Sequence, residues 1–229
     1  MTVEESHLRV EVASAVGEPG PDAIEGDLGV PDDAQGIVVF AHGSGSSRMS
    51  PRNRMVASVL NDAGFATLLI DLLTVAEEKV DVRTRRLRFD IGLLAERLLA
   101  AGDTVARMPE AARLPMGLFG ASTGAAAALM AATRADEVRA VVSRGGRPDL
   151  AGDALPRVRA PTLLVVGGRD RDVLELNRDA AAKMTCEREL AIVPGATHLF
   201  EEPGALDEAA RLAAAWFERF LAEPSESPA

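Results

Sequence analysis

The sequence is poor in the residues that several kinds of chemistry require. It contains no tyrosine, three histidines and a single cysteine, Cys186, in 229 residues. The absence of tyrosine excludes a phenolic hydroxyl as catalytic acid or oxyanion donor, and one cysteine cannot form an intramolecular disulfide. Any reaction that needs an imidazole base must therefore use His7, His42 or His198.

Long apolar runs and basic charge are also missing. No stretch approaches the roughly 18 consecutive apolar residues of a membrane-spanning helix, and the acidic start, residues 1–5, lacks the basic-then-apolar order of a secretion signal. The 25 basic against 35 acidic side chains give a net charge of −10, which disfavours nucleic acid or an anionic membrane as partner. No two histidines are close enough in sequence for a local zinc site, so no metal is expected. These features predict a soluble, cytoplasmic protein.

Short apolar runs alternate with longer helical patterns along the chain. This alternation predicts an α/β fold with a mostly parallel central sheet flanked by helices. The predicted strands are residues 7–12, 24–30, 36–41, 65–70, 116–119, 138–143, 162–166 and 189–193.

The connections between these strands are mostly short. Residues 72–81 have mixed character and are predicted to form a loop, whereas apolar residues at helical spacing predict a long helix over residues 83–108. The connection between the strands at 138–143 and 162–166 is too short for a large lid. We expect one domain over residues 1–229, with a flexible tail at 222–229.

The segment Gly120-Ala121-Ser122-Thr123-Gly124 matches G-x-S-x-G between a predicted strand and a predicted helix. A serine on such a sharp turn projects its hydroxyl above the sheet edge, and the turn needs small neighbours because larger side chains would collide. Serine is also favoured as a helix N-cap. The flanking glycines and the preceding strand nevertheless favour Ser122 as a nucleophile.

A serine nucleophile needs a base, and the base needs an acid to fix its tautomer. Asp170 follows one predicted strand and His198 follows the last, which gives the chain order Ser, Asp, His of α/β-hydrolases. All three residues follow the carboxyl ends of strands, where open α/β sheets build their sites. Asp149 and Asp172 remain alternative acids, because each also follows a suitable strand.

The oxyanion of an acyl-transfer intermediate requires two backbone N–H donors. We expect one from Thr123, directly after the nucleophile, and the other from Ser44 in the loop after the 36–41 strand, with Gly45 as the near alternative. His42 is expected to orient this loop through hydrogen bonds. His42, Gly43 and Gly45 are also candidate substrate contacts.

Two arginines follow the strand at 138–143 and should lie at the rim of the site. Arg144 or Arg147 could recognise a carboxylate on the substrate, because a guanidinium pairs well with carboxylates. The alternative is that each is solvated or held in a salt bridge within the protein.

Four segments together resemble the dienelactone hydrolase-like group of α/β-hydrolases, and the resemblance covers residues 7–221. They are His42-Gly43-Ser44-Gly45, Gly120-Ala121-Ser122-Thr123-Gly124, Gly167-Gly168-Arg169-Asp170 and Gly195-Ala196-Thr197-His198. The resemblance implies an eight-stranded sheet, hydrolysis through an acyl-enzyme, and neither a metal nor an organic cofactor. Dienelactone hydrolases proper use a cysteine nucleophile, whereas this chain has Ser122, so we expect a general ester rather than dienelactone as substrate.

The sequence thus predicts a serine hydrolase that cleaves a small carboxylic ester or lactone. The same three residues would also suit a thioesterase, an amidase or an acyltransferase. A non-catalytic binding module with this fold is a further alternative, although the complete Ser, Asp and His set argues against it. The protein is expected to act as a monomer or homodimer on a small-molecule substrate.

Overall fold

The computed structural model describes residues 2–17 and 20–222, and the core of this part is a sheet of eight strands. The strands are β1 (Val3–Ala13), β2 (Pro21–Pro31), β3 (Ile37–Ala41), β4 (Ala66–Ile70), β5 (Met116–Ala121), β6 (Val138–Arg144), β7 (Thr162–Gly167) and β8 (Arg188–Val193). Their order across the sheet is β1-β2-β4-β3-β5-β6-β7-β8. The β1–β2 and β2–β4 pairs are antiparallel, and the remaining neighbours are parallel. The predicted mostly parallel sheet of about eight strands is confirmed.

Helices cover both faces of this sheet. They are α1 (Pro51–Asp62), α2 (Val75–Thr84), α3 (Ile91–Val105), α4 (Thr123–Ala131), α5 (Arg171–Lys183) and α6 (Ala205–Leu221), with 3₁₀ segments at Leu87–Phe89 and Pro148–Arg157. Apolar residues of α1 and α6 form the core on one face, and those of α3, α4 and α5 form the core on the other. The β6–β7 connection is the compact 3₁₀ segment, as expected for a fold without a large lid.

Helix α1 begins next to the site because its start is capped. The Ser50 hydroxyl accepts a hydrogen bond from the Asn53 N–H at 3.4 Å, and Pro51 occupies the first helical position. Val56 and Leu60 then bury their side chains in the core shared with α6. The cap fixes where the first turn of α1, including Asn53, meets the carboxyl ends of the strands.

The predicted loop at 72–81 is wrong, because α2 occupies most of it. A capping box starts the helix: Thr74 Oγ1 accepts from the Glu77 N–H at 3.3 Å, and Glu77 Oε2 accepts from the Thr74 N–H at 2.8 Å. Glu77 Oε1 also accepts from Arg97 at 2.5 Å and from the Ala15 N–H at 2.8 Å. A buried charged residue therefore anchors α2, and an apolar pattern could not reveal it.

The single long helix predicted at 83–108 is also wrong. Helix α2 ends at Thr84 because the next residue, Arg85, has a φ of 55°, in the left-handed region. Asp81 then holds the following turn, with its Oδ1 accepting from the Leu87 N–H at 2.8 Å. Helix α3 starts anew where Asp90 Oδ1 accepts from the Leu93 N–H at 3.1 Å. Two acidic side chains thus divide a stretch whose apolar spacing is continuous.

Two further expectations from the sequence concern membrane-spanning helices and the tail at 222–229. Within residues 2–17 and 20–222, no helix is both long enough and apolar enough to cross a bilayer. The tail predicted at 222–229 lies outside the described residues except for Ala222.

Candidate active site

Ser122 lies on a sharp turn between β5 and α4, with φ 51° and ψ −120°. The close approach of the chain around it explains both glycines of the motif. A Cβ at Gly120 would lie 2.4 Å from Ala125 Cα, and one at Gly124 would lie 2.3 Å from the carbonyl oxygen of Ala41. A positive φ at a residue with a side chain is strained and is typical of functional turns.

His198 and Asp170 contact each other at the carboxyl ends of β7 and β8. His198 Nδ1 lies 2.6 Å from Asp170 Oδ2. Asp170 is the N-cap residue of α5, yet its side chain caps no backbone N–H of that helix. The histidine side chain is 39% exposed, whereas that of the aspartate is 15% exposed. With Nδ1 bonded to the carboxylate, Nε2 is left to accept a proton.

The loops that carry Asp170 and His198 are joined through their backbones. The Arg169 N–H donates to the carbonyl of Ala196 at 2.9 Å. A Cβ at Gly167 would lie only 2.5 Å from the same carbonyl oxygen, so a glycine is required there. The carboxylate and the imidazole therefore sit on one rigid pair of loops.

The two alternative acids lie elsewhere. Asp149 accepts two hydrogen bonds from Arg147, at 2.8 and 2.7 Å. Asp172 is exposed in the first turn of α5. Of the three carboxylates that sequence reasoning left open, the geometry favours Asp170.

The loop after β3 lies against the nucleophile. A Cβ at Gly43 would be 3.0 Å from Ser122 Cβ. The Ser44 N–H donates to Thr123 Oγ1 at 2.8 Å, so the predicted oxyanion donor is engaged with a side chain of the elbow. Gly45 has a φ of +72°, in the left-handed region that favours glycine. No sequence pattern indicates this role for the Thr123 hydroxyl, because it depends on a contact between two distant loops.

The His42 ring stabilises this loop through two hydrogen bonds with the backbone. Its Nδ1 donates to the carbonyl of Gly43 at 2.9 Å, and its Nε2 accepts from the Leu72 N–H at 3.2 Å. Burial lowers the pKa of His42, so the ring is neutral and can play these two roles at once. Both ring nitrogens bond to the backbone, which leaves neither for a substrate.

A cavity of about 260 Å³ opens beside the elbow. Its walls include Ser122, His198, Ser44, Arg52 and Arg144. Within the described residues, no hydrogen bond joins the Ser122 hydroxyl to the His198 ring. Such bonds are often long without substrate and tighten when substrate binds.

Arg144 ends β6 with its side chain at this cavity, and only 7% of the residue is exposed. Its guanidinium donates to Asn53 Oδ1 at 3.1 Å and lies 5.8 Å from the centre of the Phe200 ring. Burial, together with the nearby Arg52, lowers the pKa of Arg144 to about 10, so it stays charged at neutral pH. Arg147, the other predicted anion binder, forms a salt bridge with Asp149 instead.

Comparisons with known proteins identify the family and the fold of the chain. Residues 24–222 match the family model described as the dienelactone hydrolase family. Two proteins from strains of Mycobacterium tuberculosis are 58% identical to the chain over 221 residues, and their names assign them, provisionally, as phosphoribosyl transferases. The alignment covers 96% of this chain but 48% of each relative, so the chain spans about half of their length.

Solved structures show the same fold. A dienelactone hydrolase from Anabaena variabilis is 56% identical with a TM-score of 0.85, and the alignment covers 94% of this chain and 99% of that one. The esterase domain of a Rhodothermus marinus protein is 20% identical, with a TM-score of 0.68 and coverage of 95% and 99%. The second likeness concerns the fold alone. The chain belongs to the dienelactone hydrolase family.

Proposed function

We propose that this chain is a serine hydrolase that cleaves a small carboxylic ester or lactone through an acyl-enzyme. The observation that carries the proposal is the 2.6 Å contact between His198 and Asp170 beside the strained turn that presents Ser122. Membership of the dienelactone hydrolase family supports a hydrolytic reaction. The name of the Anabaena protein is the reason to keep lactones among the substrates.

In the first step, Ser122 Oγ attacks the carbonyl carbon of the substrate while its proton passes to His198 Nε2. Asp170, bonded to Nδ1, holds the ring in the required tautomer and stabilises the imidazolium that forms. The carbon–oxygen double bond becomes a single bond, and its electron pair gives a tetrahedral oxyanion.

Backbone N–H groups at the elbow stabilise this oxyanion. The Thr123 N–H, at the start of α4, benefits from the positive end of the helix dipole. The Ser44 N–H donates to Thr123 Oγ1 beside the elbow. When the oxyanion forms, this N–H would donate to the oxyanion instead, or to both oxygens at once. The Thr123 side chain is thus a positioning group for the second donor.

The intermediate then collapses. The bond to the leaving alkoxide breaks as the alkoxide takes the proton from His198, which leaves the acyl group on Ser122 Oγ. Water attacks this ester with His198 again as base, and the second intermediate releases the carboxylic acid and regenerates the Ser122 hydroxyl. The cavity of about 260 Å³ is slightly smaller than the roughly 300–1,000 Å³ of pockets for drug-sized ligands, which suits a small acyl group.

Other reactions fit the same residues less directly. Thioester or amide cleavage, or transfer of the acyl group to an acceptor other than water, needs the same nucleophile and base. Phosphoribosyl transfer is part of the names of relatives about twice as long as this chain. Nothing in the site described above favours that chemistry, so we do not propose it for this chain.

Replacing Ser122 by alanine tests the proposal. We expect Ser122→Ala to lose hydrolysis of 4-nitrophenyl acetate by about 10⁴-fold or more, because the nucleophile itself is removed. The circular dichroism spectrum and the unfolding midpoint should stay close to those of the wild type. Full retained turnover would contradict the mechanism, and a wild type without any turnover would favour a binding module.

A further inference from the structure

The cavity beside Ser122 contains a buried cation, Arg144, that has no anionic partner among the described residues. The only side-chain hydrogen bond of the Arg144 guanidinium within the described residues goes to the neutral amide oxygen of Asn53, at 3.1 Å. Its Nε is buried and has no hydrogen-bond partner in the described part of the chain. A buried charge is costly unless an opposite charge accompanies it. The protein therefore maintains an unfavourable charge at the place where the substrate would bind.

A second cation and a helix end add to the positive potential of this cavity. Arg52 lines the same wall and reaches Glu201 only at the rim, at 3.5 Å, where both side chains are partly exposed. Both Arg52 and Asn53 lie in the first turn of α1, which carries no acidic residue. The amino end of a helix of this length favours negative charge.

The charge of the cavity is opposite to that of the whole protein. The chain has a net charge of −10, yet no aspartate or glutamate is among the described residues that line the cavity, whereas two arginines are. A cavity of one sign in a molecule of the other sign concentrates ligands of complementary charge.

The neighbouring arginine shows what a merely structural guanidinium looks like in this loop. Arg147, three residues later, makes two hydrogen bonds to Asp149 and lies outside the cavity wall. The same short segment thus provides a carboxylate for one arginine and none for the other. Asn53 orients the Arg144 guanidinium without neutralising it.

We propose that the substrate carries an anionic group, a carboxylate or a phosphate monoester, that Arg144 binds while the scissile carbonyl lies at Ser122. Arg52 attracts the anion at the mouth of the cavity, and Asn53 keeps the Arg144 guanidinium in position. This inference rests on the proposed esterase function and names the class of ester that the site selects.

Matched pairs of esters test the inference. In one pair the charge is on the alcohol side, 4-acetoxybenzoate against its methyl ester, with 4-acetoxyphenyl phosphate as the phosphate arm. In the other pair it is on the acyl side, monoethyl adipate against diethyl adipate. The quantity measured is the ratio of kcat/KM for the anionic ester to kcat/KM for the neutral one. Whichever anionic ester gives the higher ratio, the carboxylate or the phosphate, identifies the anion that the site prefers.

We expect Arg144→Gln to lower this ratio by about 10- to 100-fold in at least one pair, the loss expected for a charge-assisted hydrogen bond. Arg144→Lys should restore part of the ratio because it keeps the charge. Arg147→Gln, which removes the same charge from the same loop, should leave the ratio at the wild-type value. A ratio unchanged by Arg144→Gln in every pair would overturn the inference.

Two further measurements keep the test decisive. If Arg144→Gln does not fold, Arg52→Gln on the partly exposed rim must lower the ratio about 2- to 5-fold, a screened effect of one charge at the mouth, and no change would count against the inference. If the wild type hydrolyses no ester, the proposed function fails by itself. The anion site is then tested by calorimetry on Ser122→Ala with 4-hydroxybenzoate, 4-hydroxyphenyl phosphate and methyl 4-hydroxybenzoate. Tighter binding of either anion supports it, and equal affinities contradict it.

Discussion

Two buried arginines of this protein lie in opposite electrostatic surroundings. Arg97, on α3, is 3% exposed and donates to the fully buried Glu77 at 2.5 Å. Arg144, at the end of β6, is 7% exposed, and its one side-chain hydrogen bond among residues 2–17 and 20–222 goes to the amide oxygen of Asn53. In the described residues each has a buried Nε without a hydrogen-bond partner, so the two arginines differ in whether a carboxylate contacts the guanidinium.

The comparison separates parts of the molecule that support the fold from parts that are kept ready for a ligand. Around Glu77, the carboxylate also accepts the N–H groups of Thr74 and Ala15, so a single side chain joins α2, α3 and the β1 end. Around Ser122, the backbone is strained, and no carboxylate among the described residues pairs with the nearby Arg144. Unsatisfied groups and strain are expected at functional sites, and satisfied networks elsewhere.

The largest expected effect is on activity and lies in the site. Asp170→Asn keeps the shape of the side chain but removes the charge that fixes the His198 tautomer, so kcat should fall about 10⁴-fold. The free energy of unfolding should change by about 1 kcal/mol or less, because the pair is partly exposed. Asp172→Asn is the matched control and should leave both quantities unchanged. A loss of stability without a loss of kcat would place Asp170 among the supporting residues.

The second effect is on stability and lies in the supporting region. Arg97→Met leaves Glu77 buried without its cation, which should lower the free energy of unfolding by about 3–5 kcal/mol. Urea unfolding measures this loss, and kcat per folded molecule should stay near the wild-type value. Adding Glu77→Gln should recover only part of the stability, because Thr74 and Ala15 lose the carboxylate as well. An Arg97→Met protein of wild-type stability would contradict the assigned supporting role.

The same substitution at the other arginine should have the opposite sign. Arg144→Met removes a desolvated charge that has no counterion within the described residues, so the free energy of unfolding should rise by about 1–3 kcal/mol. Urea unfolding of Arg144→Met beside Arg97→Met gives the comparison directly. Destabilisation of both variants by similar amounts would mean that Arg144 also supports the fold.

The smallest effect is on the pH dependence of stability. It concerns His42, whose ring forms hydrogen bonds with the Gly43 carbonyl and the Leu72 N–H. Its burial lowers the folded-state pKa below 6.5, so the unfolded chain binds a proton more readily than the folded chain. Stability should therefore fall as the pH drops below 6.5, by at most about 1.4 kcal/mol per pH unit from this group. The negative charges of Asp71 and Glu78 act in the opposite direction to burial, so the pKa is lowered less than burial alone would lower it. Urea unfolding at about pH 7.5 and about pH 5.5 should show a weaker pH dependence for His42→Asn than for the wild type. Equal dependence would contradict the buried neutral ring.

Much of the fold could be predicted from the sequence because short apolar runs alternate with helical patterns along the chain. Buried strands such as β3 and β7 are continuous apolar runs, and Gly120 and Gly124 mark the tight turn that carries Ser122. Helix α2 was missed because its buried residues, Glu77 and Asp81, are charged. The T-x-x-E pattern of a capping box, from Thr74 to Glu77, was the signal that could have revealed it.

The site was predicted less completely, because local sequence patterns do not show which side chains far apart in the chain contact each other. Three aspartates follow suitable strands, and only the folded chain shows that Asp170 is the one against His198. Similarly, Arg144 and Arg147 are both candidate anion binders in the sequence, and the structure shows that Asp149 pairs with Arg147. Sequence position gives candidates, and three-dimensional packing selects among them.

Covalent labelling with a fluorophosphonate tests the central claim most directly, because the reagent reacts with activated serines. The account predicts one adduct per chain by intact mass, on the peptide that contains Ser122. The adduct should disappear in Ser122→Ala and form far more slowly in Asp170→Asn, whereas Arg97→Met should still label while it is folded. No adduct on the folded wild type, or an adduct that persists in Ser122→Ala, would contradict it.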